Sequence, residues 1–383
     1  LSAEIKLLLD IAVLLLFAKL LGEVAERLKV DSIVGEMIGG LVAGPVLGLV
    51  SPSPALSALS TIGIIMLMFL MGISTRFDEV KDSIWKGSTL GLTTALAALG
   101  GGLLLGIFAF DSLLGGAVLG VALMGSSTAI PIKILLKTGS IRTKAGQMIF
   151  AMSMSDDVPT ILAITLLSTW VATGVFNLQG ATLLGLGMLG FFLIVLTAGS
   201  RISDKVLSLI SKMKDENVFL TLPLAGVFGL AWAAQSIGIA ALSGAFLAGM
   251  AMAKSVFAKP VIEPKTQVLG YGFFVPLFFA HSAIIVDLNG IFGWLWIVGA
   301  LFIAGGITKG LAAAVLSRRM GFGGRDSTVI GISTLPRAEF GLIAGQLALV
   351  FGAIASQIYS AIAFFVLISV VLTPVLLKLY ERR

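Results

Sequence analysis

The chain has 383 residues, of which 57% are apolar and only 12% charged, with a mean hydropathy of +1.07. A soluble domain carries about a quarter of its residues as charges, so this composition excludes one and predicts a polytopic membrane protein. The absence of cysteine excludes disulfides, thiolate metal sites and cysteine nucleophiles; the net charge of +6 sits in short connections, where it reads as an orientation signal and not as a nucleic-acid surface.

Apolar segments long enough to cross a bilayer as helices, at about 20 residues each, recur almost end to end. They predict an all-α membrane protein with thirteen transmembrane helices, at 4–28, 31–50, 56–74, 84–109, 113–138, 143–171, 181–200, 217–235, 238–257, 267–286, 290–317, 326–352 and 355–379. Lys and Arg fall in every second connection: Arg27 and Lys29; Arg76, Lys81 and Lys86; Lys137, Arg142 and Lys144; Arg201, Lys205, Lys212 and Lys214; Lys254, Lys259 and Lys265; Arg318, Arg319 and Arg325; and Lys378, Arg382 and Arg383. The alternate connections, around Pro52, Asp111, Asn177, Ser236, Asn289 and Ala353, contain none. Positive charge accumulates on the cytoplasmic side, so the N-terminus is expected outside and the C-terminus in the cytoplasm. Trp294 and Trp296 read as an outer interfacial belt.

An odd number of spans leaves room for two six-helix units joined by one extra helix, and an offset of 205 residues aligns Gly39, Ala43 and Gly44 with Gly244, Ala248 and Gly249, and Pro131 with Pro336. Span one enters from outside and span eight from inside. The two repeats are therefore inverted, a construction of many secondary transporters, in which the site lies at mid-membrane between the repeats.

Several charges fall at membrane depth: Asp156, Asp157, Lys133, Lys309, Arg337 and Glu339. Asp156 is 14 residues past Arg142, about 21 Å along a helix, in a hydrocarbon core about 30 Å thick. An ionised side chain there costs at least about 2.5–3.5 kcal/mol, so such residues face a cavity or a partner. Adjacent residues on a helix point about 100° apart, so Asp156 and Asp157 cannot share one task. One faces a water-accessible cavity; the other turns to a neighbouring helix, with Lys309 as its counter-ion. Two carboxylates and one ammonium leave a charge of minus one, which suits a site that holds either a small hard cation such as Na+ or protons. Further oxygens are expected from two segments that place Gly, hydroxyls and Pro at mid-span, Gly125 to Pro131 with Ser126, Ser127 and Thr128, and Gly331 to Pro336 with Ser333 and Thr334. Proline frees a carbonyl there, and paired discontinuous helices result. Arg337 could neutralise exposed carbonyl ends, Glu339 could compete for Lys309, and Lys133 could snorkel toward the cytoplasm. Glu36 could line an inner funnel or sit at the interface, and His281 reads as a helix-packing residue or a proton relay.

These residues resemble the NapA-like Na+/H+ antiporters of the second branch of the monovalent cation:proton antiporter superfamily. The resemblance is carried by Val34-Gly35-Glu36 with Gly44-Pro45, Phe69 to Ile73 with Arg76, the Ser/Thr break of span five, Asp156-Asp157, Lys309, and Pro336-Arg337-Ala338-Glu339; the chain departs from it at Ser155 and Pro159. It implies an antiporter fold of the NhaA/NapA type with a core domain moving against a dimerisation domain in an elevator-like cycle, and a homodimer. Dimerisation helices are then expected at 1–80 and 215–288, the core at 81–172 and 289–383, and a linker helix at 173–214. It also implies the roles: Asp157 carries Na+ (or Li+) and protons, Asp156 pairs with Lys309, and Ser126, Ser127 and Thr128 supply oxygens. The expected function is electrogenic Na+(Li+)/H+ exchange serving pH homeostasis in a prokaryotic cell membrane, with no enzyme activity and no cofactor. K+/H+ exchange is the nearest alternative. An intramembrane aspartyl protease needs acids converging from different helices, unlike this consecutive pair, and a passive channel has less use for titratable acids beside a buried lysine.

Overall fold

The computed structural model describes residues 3–74, 84–127, 129–137, 140, 143–173, 178–215 and 217–381. Among them regular structure is helical throughout: α1 (Ala3–Arg27), α2 (Ser32–Val46), α3 (Pro54–Ile73), α4 (Ile84–Phe110), α5 (Leu113–Met124), α6 (Ala129–Lys137), α7 (Lys144–Thr173), α8 (178–210), α9 (Val218–Ser236), α10 (Ala241–Met252), α11 (Ala258–Ile284), α12 (Ile291–Arg319), α13 (Gly324–Ser333), α14 (Glu339–Val350) and α15 (Ser356–Glu381). Helix starts follow local chemistry. Asp31 caps α2 by accepting from Ile33 N at 3.1 Å, Ser53 caps α3 ahead of Pro54, and Ser112 caps α5 by accepting from Gly115 N at 2.9 Å.

Eight helical stretches, within α3, α4, α7, α8, α9, α11, α12 and α15, are long and apolar enough to cross a membrane, while α2, α5, α10 and α14 are apolar but shorter. α1 matches the long ones in length but carries Asp10, Lys19 and Glu23 among its apolar residues. The segments 113–138 and 326–352 are each broken in the middle, into α5 and α6 and into α13 and α14. Helix α8 runs on to residue 210, well past the predicted 181–200, because 200–210 is amphipathic, burying Leu207 and Ile210 among polar neighbours. Trp294 is a correction: it is 3% exposed, packs edge-on against Phe364 and donates to Asn289 O, so only the half-exposed Trp296 can face an interface.

Two sets of helices pack chiefly within themselves. α1 lies on α2, α3 on α10, α9 on α10, and α11 on both α2 and α3; α4 lies on α5, α7 and α12, α14 on α5, and α15 on α12 and α14. Small residues let the backbones approach closely. A Cβ on Gly72 would stand 2.1 Å from Phe246 O across the α3–α10 contact, and one on Gly106 would stand 2.0 Å from Gly116 Cα across the α4–α5 contact. The second set contains both broken helices and Asp156-Asp157.

Candidate functional site

Helix α7 brings the two acids into the second set. Its seat on α4 is close because Gly87 and Gly91, one turn apart, present no side chain: a Cβ on Gly91 would stand 2.7 Å from Met152 O and 3.3 Å from Asp156 N. Ser88 and Ser155 hydroxyls meet there at 3.1 Å, so Ser155 faces α4. Pro159 lacks the N–H that would bond the carbonyl of Ser155, and Thr160 Oγ1 donates to Asp156 O at 2.7 Å, so the backbone is loosened around the acids.

The two helix breaks cross each other beside this point. Ser127 N donates to Pro336 O at 2.8 Å, joining one break to the other over 209 residues of sequence (336 − 127). A Cβ on Gly125 would stand 2.4 Å from the Phe340 ring, so glycine is what lets the strands of chain cross. Each half-helix ending at the crossing leaves carbonyls unbonded, with the negative end of its dipole. Two buried cations cover them. Lys309 Nζ donates to Met124 O at the end of α5, while Arg337 donates through Nε to Leu123 O at 3.0 Å, through Nη1 to Thr334 O, and to Leu335 O at 3.3 Å. Lys309 is held two residues past a widened π-helical segment, 302–307, where Gly305 lies against Leu123 of α5.

Lys309 also donates to Asp156 Oδ2 at 2.5 Å, with neither side chain exposed, and Ser126 Oγ donates to the same oxygen at 3.0 Å. Asp156 is thereby tied to α12 and to the break that follows α5. Asp157 is not: it is 6% exposed, and whereas Asp156 leaves only Oδ1 unpartnered, Asp157 has an unpartnered Oδ1 and no ion pair among the described residues. Glu339 opens α14, where the positive helix end favours an anion, and its side chain is buried there. Lys309 belongs to Asp156 and not to Glu339.

A family profile described as sodium/hydrogen exchanger, transmembrane, matches residues 12–380. The chain belongs to the sodium/hydrogen exchanger family. This exchanger is 27% identical over 376 residues to the Na(+)/H(+)-K(+) antiporter GerN of Bacillus cereus, covering 98% of this chain and 96% of that protein. It is 26% identical over 379 residues to a Na(+)/H(+) antiporter of Enterococcus hirae, 98% of each chain. It also matches the potassium-efflux protein KefC of Escherichia coli, at 27% over 286 residues, 71% of this chain and 44% of KefC. Among solved structures, the sodium proton antiporter MjNhaP1 of Methanocaldococcus jannaschii shares the fold with a TM-score of 0.73 at 18% identity, over 98% of this chain and 99% of that one. The exchanger is a multi-pass membrane transport protein and not an enzyme.

Of the residues singled out in the exchanger's sequence, Asp156, Asp157, Ser126, Ser127, Lys309, Arg337 and Glu339 gather at the crossing, while Thr128 and the side chain of Lys133 lie outside the described residues. Glu36 and His281 belong to the other helix set, where Glu36 accepts from Lys19 at 3.0 Å and His281 Nε2 lies 3.3 Å from Ser57 Oγ. Sequence reasoning passed over Ser153. It sits one turn before Asp157 on the same face of α7, fully buried, and its Oγ has no partner among the described residues. The spacing of four between a hydroxyl and a carboxylate was the available signal.

Proposed function

We propose that the chain is a secondary Na+(Li+)/H+ antiporter in which the cation and protons compete for Asp157, and that the exchange moves net charge. The observation that carries this reading is the contrast within one dipeptide: Asp156 is engaged through Oδ2 by Lys309 and Ser126, while Asp157 is buried with no ion pair or hydrogen bond to its carboxylate among the described residues. A lone carboxylate in apolar surroundings is costly when ionised and unpaired. It is relieved either by a proton or by a hard cation that takes oxygen ligands, and binding one displaces the other. Ser126, Ser127, Thr128 and Ser153, with carbonyls of the crossed breaks, are the further oxygens within this reading. Lys309, Arg337 and Glu339 balance the charge. Cation entry at Asp157 loosens the hold of Lys309 on Asp156, so that a second proton can leave and the cycle becomes electrogenic.

Access alternates by an elevator movement of α4–α7 and α12–α15 against α1–α3 and α9–α11 within a homodimer, with α8 as the linker. The separate packing of the two helix sets supports this division. In this reading the chain makes thirteen crossings, with α5–α6 and α13–α14 each counted as one broken span, and has its N-terminus outside and its C-terminus inside a prokaryotic cell membrane, which the alternation of loop charges supports. Exchange of K+ for H+ is the second reading, favoured by relatives whose names include potassium.

Proton movement driven by Na+, Li+ and K+ in turn, measured in proteoliposomes with and without a membrane potential, tests both readings. Na+ and Li+ are expected to drive it and K+ not, with a rate that changes with the potential. A response to K+ alone would replace Na+ by K+, and no response to any cation would end the antiport reading.

A further inference from the structure

A group of hydrogen bonds joins the two helix sets at one end of their boundary. Gln346 Nε2 of α14 donates to Ser282 Oγ of α11 at 2.5 Å, and the Tyr359 hydroxyl of α15 donates to Ser282 O at 2.6 Å. Just beyond them Asp287 N donates to Ser360 Oγ at 2.8 Å, and Ser356 Oγ donates to Asp287 Oδ2 at 3.1 Å. Across the same boundary Thr165 Oγ1 of α7 meets Ser243 Oγ of α10 at 3.1 Å. Ser282, Tyr359, Ser360 and Ser243 are fully buried. Donors and acceptors parted there stay unpaired until water or new partners reach them.

The position of the group along the membrane follows from chain ends. Ser282 lies in the last turn of α11, Gln346 four residues before the end of α14, and Tyr359 in the first turn of α15. The connections they adjoin, 285–290 and 351–355, carry no Lys or Arg, so this is the outer end in the topology proposed above.

We propose that these residues form an outer latch: Gln346, Tyr359, Ser356 and Ser360 hold α14 and α15 against Ser282 and Asp287 while the site is closed to the outside, and the bonds part each time it turns outward. The proposal rests on the elevator reading of the preceding subsection. Most of the latch is uncharged side chains and backbone groups, so it does not draw the transported cation away from Asp157. Each net hydrogen bond changes a two-state equilibrium by about fivefold, so a handful biases the cycle without freezing it.

Because the chain has no cysteine, the test is a pair of introduced thiols. The variant carrying Ser282→Cys and Gln346→Cys is reconstituted, joined with a short thiol-reactive bridge that a reductant can cleave, and assayed for Na+ uptake before bridging, after it and after cleavage. The latch predicts at least a tenfold loss on bridging and recovery on cleavage. Full exchange in the bridged protein overturns it. In that event a bridge between Thr165→Cys and Ser243→Cys separates the two ideas: if this one blocks exchange, the moving boundary stands and only the latch falls; if it too is harmless, both fall. Should the unbridged pair be inactive, Tyr359→Phe carries the test, with an expected fall of about fivefold in the apparent KM for external Na+ as the outward state gains population; an unchanged KM overturns the latch. Absence of Na+-driven exchange by the unaltered protein would instead remove the antiport reading itself.

Discussion

Lys309 Nζ stands 2.5 Å from Asp156 Oδ2 and also bonds the carbonyl of Met124, which closes the end of a broken helix. One ammonium thus serves a carboxylate and a helix dipole together, and both depend on its charge. Removing it leaves Asp156 buried with only Ser126 as a donor.

Lys309→Gln is therefore expected to destabilise the protein by about 3–5 kcal/mol, the cost of stripping one partner from a buried pair. Thermal unfolding in detergent measures this as a lowered Tm. The same variant, assayed in proteoliposomes, is expected to lose the dependence of exchange on membrane potential, since the proposed cycle releases its second proton from the Asp156–Lys309 pair. An unchanged Tm would mean that the pair holds nothing together.

Ser126→Ala removes the hydroxyl that donates to Asp156 Oδ2 at 3.0 Å but leaves Lys309 in place. A hydrogen bond to a charged group contributes about 1.5–3 kcal/mol, so the Tm is expected to fall by less than in the Lys309 variant. Exchange continues with a raised KM for Na+. The ordering of the two Tm values is the measurement that matters.

Much of this arrangement can be read from sequence. Apolar segments mark the helices, because a backbone in hydrocarbon has to satisfy its own hydrogen bonds. Asp156, Asp157 and Lys309 stand out against that background. Pro131 and Pro336, with glycine and hydroxyls before them, point to breaks. What the sequence does not contain is how distant pieces meet. The bond from Ser127 N to Pro336 O and the reach of Arg337 to Leu123 O are set by packing between helices far apart in the chain. The same holds for Trp294: its apolar neighbourhood suits an interface as well as a core, and only the approach of Phe364 decides. Ser153 was overlooked because a serine in an apolar helix bonds its own backbone in most cases, as Ser155 does to Ala151 O.

Ser153 gives a prediction that separates binding from stability. Its Oγ makes no hydrogen bond among the described residues, so Ser153→Ala is expected not to lower the Tm. If the hydroxyl ligates the cation with Asp157, the KM for Na+ rises by about tenfold, equivalent to about 1.4 kcal/mol. An unchanged KM would confine Ser153 to packing.

The competition at Asp157 is tested most directly by Na+ binding to the purified protein, measured calorimetrically over a series of pH values in a Na+-free buffer. Binding is expected to weaken steadily as the pH is lowered, because protons occupy the same carboxylate, and to vanish at every pH in Asp157→Asn. Na+ binding that is independent of pH, or that survives in Asp157→Asn with the affinity of the unaltered protein, would contradict the account.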